Sequence, residues 1–160
     1  MALWDIYVTN WIKSYFDKRS QVVKVNNTLS SQKEINIGVA QGSILGPILF
    51  NIYINDLVNS SNDCKFFMFA DDTNIIVEGK DCLHLEQNIN GTLGKIYRWL
   101  KANRIKANIS KSKLLCLNCK ITNEIYIGSS KIDFVNEIKY LGVIIDNNLS
   151  FRTQFDKKKC

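Results

Sequence analysis

The sequence lacks the features that would direct a chain to a membrane or to secretion. No uninterrupted apolar run approaches the roughly 18 residues that a membrane-spanning helix needs. The longest candidate, Ile44 to Ile54, is broken by Gly46, by Asn51 and by the only proline, Pro47. The N-terminus MALWDIY has no basic start of a signal peptide. We therefore expect an intracellular protein, nuclear or cytoplasmic, that is neither secreted nor bound to a membrane.

Internal repeats, low-complexity segments and Pro/Gly-rich linkers are also missing. The 160 residues are therefore expected to form one domain, or a piece of a larger one. Because 46% of the residues are hydrophobic, the chain can build a core, and wholesale disorder is not expected.

Histidine and cysteine are too few and too scattered to predict a metal centre. The single histidine, His84, lies on a predicted helix. The five cysteines are spread along the chain: Cys64, Cys82, Cys116, Cys119 and Cys160. An odd and scattered set favours free thiols in a reducing compartment. Cys116 and Cys119 form a lone CxxC, without a second pair to complete a zinc site.

Positive charge is concentrated in one part of the chain, which we call the basic segment (residues 95–120). It carries eight basic side chains and no acidic one, and the net charge of the chain is +6. Such a segment is typical of a surface that contacts phosphates. An ordinary solvated helix face is an equally good interpretation of the charge alone.

Hydrophobic periodicity predicts alternating helices and strands, and their irregular order favours an α+β fold. Helices are predicted over 2–16, 42–58 and 82–101, and the second of these is apolar nearly all round, so we expect it to be buried. The predicted strands and hairpins lie at 21–25 with 34–39, 65–69 with 73–78, 112–118, 124–133 and 138–146.

Two adjacent aspartates, Asp71 and Asp72, occupy the tight turn between the apolar runs KFFMF and TNIIVE. Aspartate is a common turn residue, which is one explanation. The other is a divalent-cation site, because Mg²⁺ prefers carboxylate oxygens and is commonly held by one or two carboxylates plus substrate phosphates. A bound cation would also offset the repulsion between the two carboxylates.

Several segments resemble a known family. GVAQGSILGPILFNIYINDL (38–57) followed by FADD (69–72) is similar to GVPQGSxLGPxLFNxYINDL followed by YADD in the reverse transcriptase domain of non-LTR (LINE-type, jockey-like) retrotransposons. WLKANRIKANISKSK (99–113) resembles the W-x-x-x-N-x-L-x-x-N-x-x-K-T segment of that family, and IKYLGVIIDNNLSF (138–151) resembles K-Y-L-G-V-x-x-D-x-x-L-x-W. With the similar stretch at 11–30, the resemblance covers nearly the whole chain.

The resemblance implies the α+β fold of a right-hand polymerase palm, in which helices pack on a ferredoxin-like antiparallel sheet. It implies an RNA-directed DNA polymerase, in which a primer 3′-OH attacks the α-phosphate of a dNTP with the help of two Mg²⁺ ions, or Mn²⁺. RNA template, DNA primer and dNTPs are the implied partners, with no obligate protein partner. Residues 1–160 would be one partial domain, with palm to about 120 and the primer-grip region and start of the thumb over about 121–160.

Individual residues receive roles from the resemblance alone. Asp71 and Asp72 would be catalytic metal ligands, and Lys111 would assist pyrophosphate departure, although a merely solvated lysine is an equal alternative. Nucleotide and template contacts are implied for Gln41, Gly42, Ser43, Phe69 and Ala70. Primer-grip and other nucleic-acid contacts are implied for Lys139, Tyr140, Leu141, Gly142, Arg98, Lys101, Arg104 and Lys106.

The chain also departs from the family pattern. Ala40 replaces a proline and Phe69 replaces a tyrosine, and neither change removes a metal ligand. No F-x-D segment, which carries a further aspartate in the family, precedes the first helix. We therefore expect a fragment without fingers, first palm strand and most of the thumb, inactive by itself. The alternative is an inactive retroelement relic that binds nucleic acid through residues 95–120. A maturase-type reverse transcriptase is less favoured, because of the KYLG segment and the motif spacing.

Overall fold

The computed structural model describes residues 3–40 and 42–156 of the chain. The chain divides into two compact units, Met1–Tyr53 and Ile54–Cys160, which are described separately. Across the described residues, the helices are all too short or too polar to cross a lipid bilayer.

The first unit contains two helices and two small hairpins. Helix α1 forms as predicted, and the described elements are α1 (Leu3–Phe16), β1 (Ser20–Gln21), β2 (Lys24–Val25), β3 (Thr28–Leu29), β4 (Lys33–Glu34) and α2 (Leu45–Ile54). Strand β1 pairs with β4, and β2 pairs with β3, all antiparallel. The predicted hairpin is real, but its second arm lies earlier in the chain than predicted. Asn26 takes a positive φ of 53°, which closes the turn directly after β2.

Helix α2 is shorter and more exposed than the sequence predicts. It begins at Leu45, so that Pro47 lies in its first turn, where a missing N–H is tolerated. The expectation of a buried helix is wrong for this structure, because Ile48 is 52% exposed and Ile52 is 65% exposed. An apolar composition all round a helix predicts burial only where a neighbour covers each side.

The second unit opens with a 3₁₀ helix at Asn55–Ser60 and is built around one long helix. Its further elements are β5 (Cys64–Phe69), β6 (Asp72–Val77), α3 (Cys82–Ala102), a 3₁₀ turn (Ile109–Lys111), β7 (Lys113–Leu115), β8 (Tyr126–Ile127), β9 (Ser130–Lys131), β10 (Asp133–Val135), β11 (Glu137–Tyr140), β12 (Val143–Asp146) and α4 (Arg152–Asp156). The structure is therefore a mixture of helix and sheet, as predicted.

The strands of the described residues join in pairs, as six two-stranded sheets. The pairs β5–β6, β8–β9 and β11–β12 are antiparallel hairpins, and β7 pairs with β10 in parallel. A continuous ferredoxin-like sheet is not formed within residues 3–40 and 42–156. The palm architecture therefore stays a prediction.

The core of the second unit lies along the apolar stripe of α3. Helix α3 contacts β6, β8 and the 3₁₀ helix at Asn55–Ser60. This stripe includes Ile89 and Ile96, which are buried together with Thr92 between them. Ile125, directly before β8, has no exposed surface at all. The helix that periodicity predicted is thus the element on which the rest of this unit packs.

Two local predictions for the second unit are wrong. The predicted single strand 138–146 is a hairpin, because Leu141 and Gly142 both adopt positive φ values, 46° and 86°, as a two-residue type I′ turn requires. The expectation of free cysteines fails for Cys82 and Cys119, which form a disulfide. Spacing along the chain gave no indication of a pairing between residues 37 positions apart.

Candidate active site

The two adjacent aspartates lie at the tip of the β5–β6 hairpin. Phe69 pairs with Asp72, which leaves Ala70 and Asp71 as a two-residue turn. Ala70 has a φ of 51°, in the left-handed region that costs a residue with a Cβ roughly 1–2 kcal/mol. The β8–β9 hairpin has a glycine, Gly128 (φ 61°), at the same turn position. The same position is Asn26 in the β2–β3 turn and Leu141 in the β11–β12 turn, so a positive φ there is common to the two-residue hairpin turns of the described residues, and only one of them uses glycine.

Both carboxylates are exposed to solvent. Within the described part of the chain, the carboxylates of Asp71 and Asp72 have no hydrogen-bond or ion-pair partner. Paired residues on neighbouring strands share a face, so Asp72 lies on the same face as Phe69, which is 62% exposed. The apolar flanks therefore do not bury the two carboxylates, and solvent screens the repulsion between them.

The hairpin is anchored to the start of α3 by the short link after β6. A Cβ on Gly79 would lie only 2.4 Å from Leu85 Cα, so this link packs directly against the helix backbone. Asn88 Nδ2 donates a hydrogen bond of 2.8 Å to the Glu78 carbonyl oxygen. Asp81 caps α3 by accepting the His84 N–H at 2.7 Å. These contacts fix the orientation of the hairpin relative to α3.

The glutamine motif precedes α2 in the first unit. Gln41 lies outside the described residues, while Gly42 is exposed with a φ of 80°. The Ser43 hydroxyl accepts the Gly46 N–H at 3.0 Å and lies 2.7 Å from the Tyr15 hydroxyl. Ser43 therefore caps the start of α2, a structural role that the sequence did not predict.

The basic segment keeps most of its charge exposed. Two of its lysines form ion pairs, Lys95 with Asp63 and Lys113 with Asp133, the latter at 2.8 Å. The ammonium group of Lys95 holds the pKa of Asp63 below its usual value. Six cations of the segment are exposed and lack an ion-pair partner among the described residues: Arg98, Lys101, Arg104, Lys106, Lys111 and Lys120.

The aromatic residues of the basic segment are engaged in packing. A Cβ on Gly128 would lie 2.5 Å from two ring carbons of Tyr97, so the ring covers the β8–β9 turn. The indole N–H of Trp99 donates to Asp56 at 3.4 Å. Tyr97 nevertheless keeps 40% of its surface exposed, so this surface offers a nucleic acid mainly charge, with one partly exposed ring beside it.

The remaining candidate residues lie on two further turns. Lys111 ends the 3₁₀ turn before β7 and is exposed. Lys139 and Tyr140 end β11, and Leu141 and Gly142 form the tip of the β11–β12 hairpin, where Leu141 is 53% exposed. The KYLG segment is thus an exposed hairpin tip.

Asp146 organises the turn that follows this hairpin, a role that was not predicted from the sequence. Its carboxylate accepts the backbone N–H groups of Asn148, Ser150 and Phe151, at 3.0, 3.0 and 2.7 Å. These hydrogen bonds hold the pKa of Asp146 below its usual value, and the bond from the Ser150 N–H contributes most. An aspartate followed by a polar, serine-containing stretch is a known turn signal that would have predicted it.

The donor set of the hairpin fits a divalent cation in part. Two hard, unpartnered carboxylates match the preference of Mg²⁺, which is often held by one or two carboxylates plus substrate phosphates. Over the described ranges, no three His, Cys, Asp or Glu side chains are grouped to hold a metal ion. Asp71 and Asp72 would therefore need further oxygen ligands from a substrate or another protein segment.

Residues 3–145 match the sequence model of the family described as "Reverse transcriptase (RNA-dependent DNA polymerase)". The chain is 30% identical over 154 residues to the "RNA-directed DNA polymerase from mobile element jockey" of Drosophila funebris, covering 88% of this chain and 16% of that relative. It is also 30% identical over 147 residues to the "Probable RNA-directed DNA polymerase from transposon X-element" of Drosophila melanogaster, with the same coverage of 88% and 16%.

A third relative comes from another element type. The chain is 29% identical over 150 residues to the "Retrovirus-related Pol polyprotein from type-1 retrotransposable element R1" of Bradysia coprophila, covering 89% of this chain and 15% of that protein. No solved structure matches the chain. The chain thus spans about a sixth of the length of these curated relatives, and the family predicted from its motifs is confirmed.

Proposed function

The chain belongs to the reverse transcriptase (RNA-dependent DNA polymerase) family, and on that premise we propose that it carries the metal-binding hairpin of a non-LTR retrotransposon polymerase. In this proposal, Asp71 and Asp72 hold divalent metal ions during transfer of a nucleotide to a primer 3′-OH. RNA template, DNA primer and dNTPs are the proposed substrates, and Mg²⁺ is the proposed metal.

One observation carries the proposal: two adjacent carboxylates without partners among the described residues, on a strained hairpin turn. Ala70 adopts a positive φ at this turn, a conformation that glycine adopts at a lower energy cost. Asp146 and Asp133, by contrast, have carboxylates engaged by backbone N–H groups and by Lys113. The hairpin thus presents negative charge outward from an anchored base, as a cation site requires.

The chemistry assigned to this hairpin depends on charge and position. Bound metal ions would neutralise phosphate charge and help to activate the primer hydroxyl. The side chains of Asp71 and Asp72 would hold those ions at the hairpin tip. The exposed ring of Phe69, on the face of Asp72, would border the nucleotide or the primer end. Because Phe69 has no hydroxyl, its contact would be by packing only.

The other candidate residues would bind and orient the substrates. Gln41, Gly42 and Ser43, ahead of α2, are proposed to border template and nucleotide, because a helix N-terminus favours phosphates. Lys111 is proposed to stabilise the departing pyrophosphate. The KYLG hairpin tip is proposed to contact the primer. Together, these assignments presume a palm fold over about residues 1–120, with residues 121–160 leading toward a thumb.

The six exposed cations of the basic segment are proposed to contact nucleic-acid phosphates. Binding through phosphates releases counterions, so log K should fall linearly with log salt concentration. Fluorescence anisotropy of a labelled RNA–DNA hybrid, titrated with the full chain at several KCl concentrations, measures this slope. The double variant Lys101→Gln/Arg104→Gln is expected to reduce the slope by about one for each phosphate that is no longer neutralised.

Lys65→Gln is the matched control, because Lys65 is an exposed lysine outside the basic segment that pairs with Glu78 at 3.1 Å. It is expected to leave both the affinity and the salt slope close to those of the wild type. Binding that does not respond to salt, or an equal weakening by Lys65→Gln, would exclude the basic segment as the nucleic-acid surface.

The second candidate function is that of a relic that binds nucleic acid without catalysis. The six exposed cations of the basic segment favour this second candidate, because they can bind phosphates whether or not the metal site is intact. The DNA sequence upstream of this reading frame separates the two candidates. An in-frame F-x-D segment favours a polymerase, whereas stop codons or frameshifts favour a relic.

A further inference from the structure

Three cysteines lie on two segments that a disulfide joins. Cys82, the first residue of α3, is bonded to Cys119, and their Cα atoms are 5.8 Å apart. Cys116 is a free, half-buried thiol three residues before Cys119. The family assignment leaves these cysteines unexplained, because the motifs that support it do not include them.

The loop after β7 turns back on itself around this thiol. Asn118 adopts a positive φ of 56°, which reverses the chain between the two cysteines of the CxxC. The Cys116 thiol lies near the Ile121 backbone N–H, and partial burial raises the pKa of this thiol above its ordinary value, so its exchange chemistry is expected to be slow. Cys119 follows directly after the chain reversal, three residues beyond the free Cys116 thiol. This is the Cys-x-x-Cys spacing that thiol–disulfide oxidoreductases use.

We propose that Cys82, Cys116 and Cys119 form a thiol–disulfide exchange switch in which Cys116 resolves the Cys82–Cys119 disulfide. The Cys116 thiol gives its proton to solvent, and the resulting thiolate attacks Cys119 Sγ. The Cys116–Cys119 bond forms as the Cys82–Cys119 bond breaks, and the electron pair leaves on Cys82 Sγ, which takes a proton from water. One disulfide and one thiol are present before and after, so the exchange needs no oxidant or reductant.

The exchange releases the start of α3 from the loop. In the Cys82–Cys119 state, the loop is held twice, by the disulfide and by the Asn123 amide, which donates to Glu86 at 2.7 Å one turn further along α3. In the Cys116–Cys119 state, the covalent link to α3 is gone and the Asn123–Glu86 hydrogen bond remains. Because the same first turns of α3 anchor the aspartate hairpin through Gly79, the switch acts on the support of that hairpin.

Tryptic peptides distinguish the two states of the full chain. Cys82 lies on the peptide 81–95, while Cys116 and Cys119 both lie on 114–120. The reduced chain, in a Cys160→Ser background, is oxidised with glutathione disulfide, freed of it, and quenched with N-ethylmaleimide at intervals. Mass spectrometry without reduction then reports either the two linked peptides, or peptide 114–120 with an internal disulfide and labelled Cys82.

The wild type is expected to form the linked peptides and then to gain label on Cys82 over minutes to hours. Cys116→Ser is expected to keep Cys82 protected, with labelling about tenfold lower or less, because the resolving thiol is gone. Cys64→Ser is the matched control, since Cys64 is the other free, half-buried thiol of the described residues. It is expected to behave as the wild type does.

Three results would overturn the proposal. The first is a wild type whose Cys82 stays as protected as in Cys116→Ser. The second is the absence of linked peptides after oxidation. The third is one equivalent of tightly bound zinc in the purified chain that Cys116→Ser removes, which would make these thiols metal ligands instead.

Discussion

The link that joins the aspartate hairpin to α3 has no room for a side chain at Gly79. A Cβ there would lie 2.4 Å from Leu85 Cα and 2.5 Å from the Leu85 backbone nitrogen. Because these atoms belong to the helix backbone, no side-chain rotation relieves the clash, and β6 or α3 must shift. We predict that Gly79→Ala lowers the free energy of unfolding by about 2–3 kcal/mol, toward the upper end of the usual cost of overpacking.

Gly91→Ala is the matched control, and its predicted effect has the opposite sign. Gly91 lies inside α3, and an added Cβ meets no atom within 4 Å. Alanine is favoured over glycine in a helix interior, so Gly91→Ala is expected to raise the free energy of unfolding by about 1 kcal/mol. The same chemical change is thus predicted to destabilise at one site and to stabilise at the other.

Urea unfolding monitored by Trp99 fluorescence measures both effects. Trp99 lies on α3, and substituting Trp4 and Trp11 by phenylalanine leaves it as the only tryptophan. With a slope of about 2 kcal/mol per molar urea, Gly79→Ala should lower the midpoint by about 1–1.5 M. A Gly79→Ala midpoint equal to that of the parent, or a decrease for Gly91→Ala, would refute the packing of the link against α3.

Three further predictions concern the core and the turn after the KYLG hairpin. Ile125→Ala is expected to cost about 3–4 kcal/mol in urea unfolding, from three buried carbons at about 0.8 kcal/mol each plus a cavity. Ile76→Ala, at a position 48% exposed, should cost less than about 1 kcal/mol; equal costs would contradict the core. Thr92→Val is expected to raise stability by about 1 kcal/mol, because the buried Thr92 hydroxyl has no hydrogen-bond partner in the described residues; a decrease in stability would show that the hydroxyl is bonded. Asp146 has a lowered pKa in the folded state, so its contribution is complete above about pH 4 and is lost as pH falls through that lowered value. The stability deficit of Asp146→Asn should therefore be largest near neutral pH and shrink in acid, and a deficit independent of pH would contradict this.

The parts of the fold that the sequence predicted are those set by strong local patterns. Apolar residues recur at helical spacing along α3, from Leu85 to Leu100, and Ile89 and Ile96 of this stripe are buried. The short aspartate turn between two apolar runs predicted the β5–β6 hairpin to within one residue at each end. In both cases, the periodicity and the turn chemistry agree with each other.

The parts that failed depend on partners that local patterns do not specify. The apolar surface of α2 predicted burial, but exposure depends on what packs against it. The Cys82–Cys119 pair depends on the return of a distant loop to α3. Leucine is unusual at a positive φ, so the Leu141–Gly142 turn was not evident within an apolar run. For the site, the motif located the aspartates, whereas the anchor at Gly79 required the structure.

The central claim is that Asp71 and Asp72 form a cation site at the hairpin tip, and a Mn²⁺ titration of the ¹⁵N-labelled chain tests it most directly. Paramagnetic broadening is predicted to reach the amide signals of residues 69–73 first, and Asp71→Asn/Asp72→Asn should abolish it there. Asp17→Asn removes another exposed carboxylate, outside the hairpin, and should change nothing at the hairpin. Broadening that begins elsewhere, or that persists at the hairpin in the double variant, would contradict the claim.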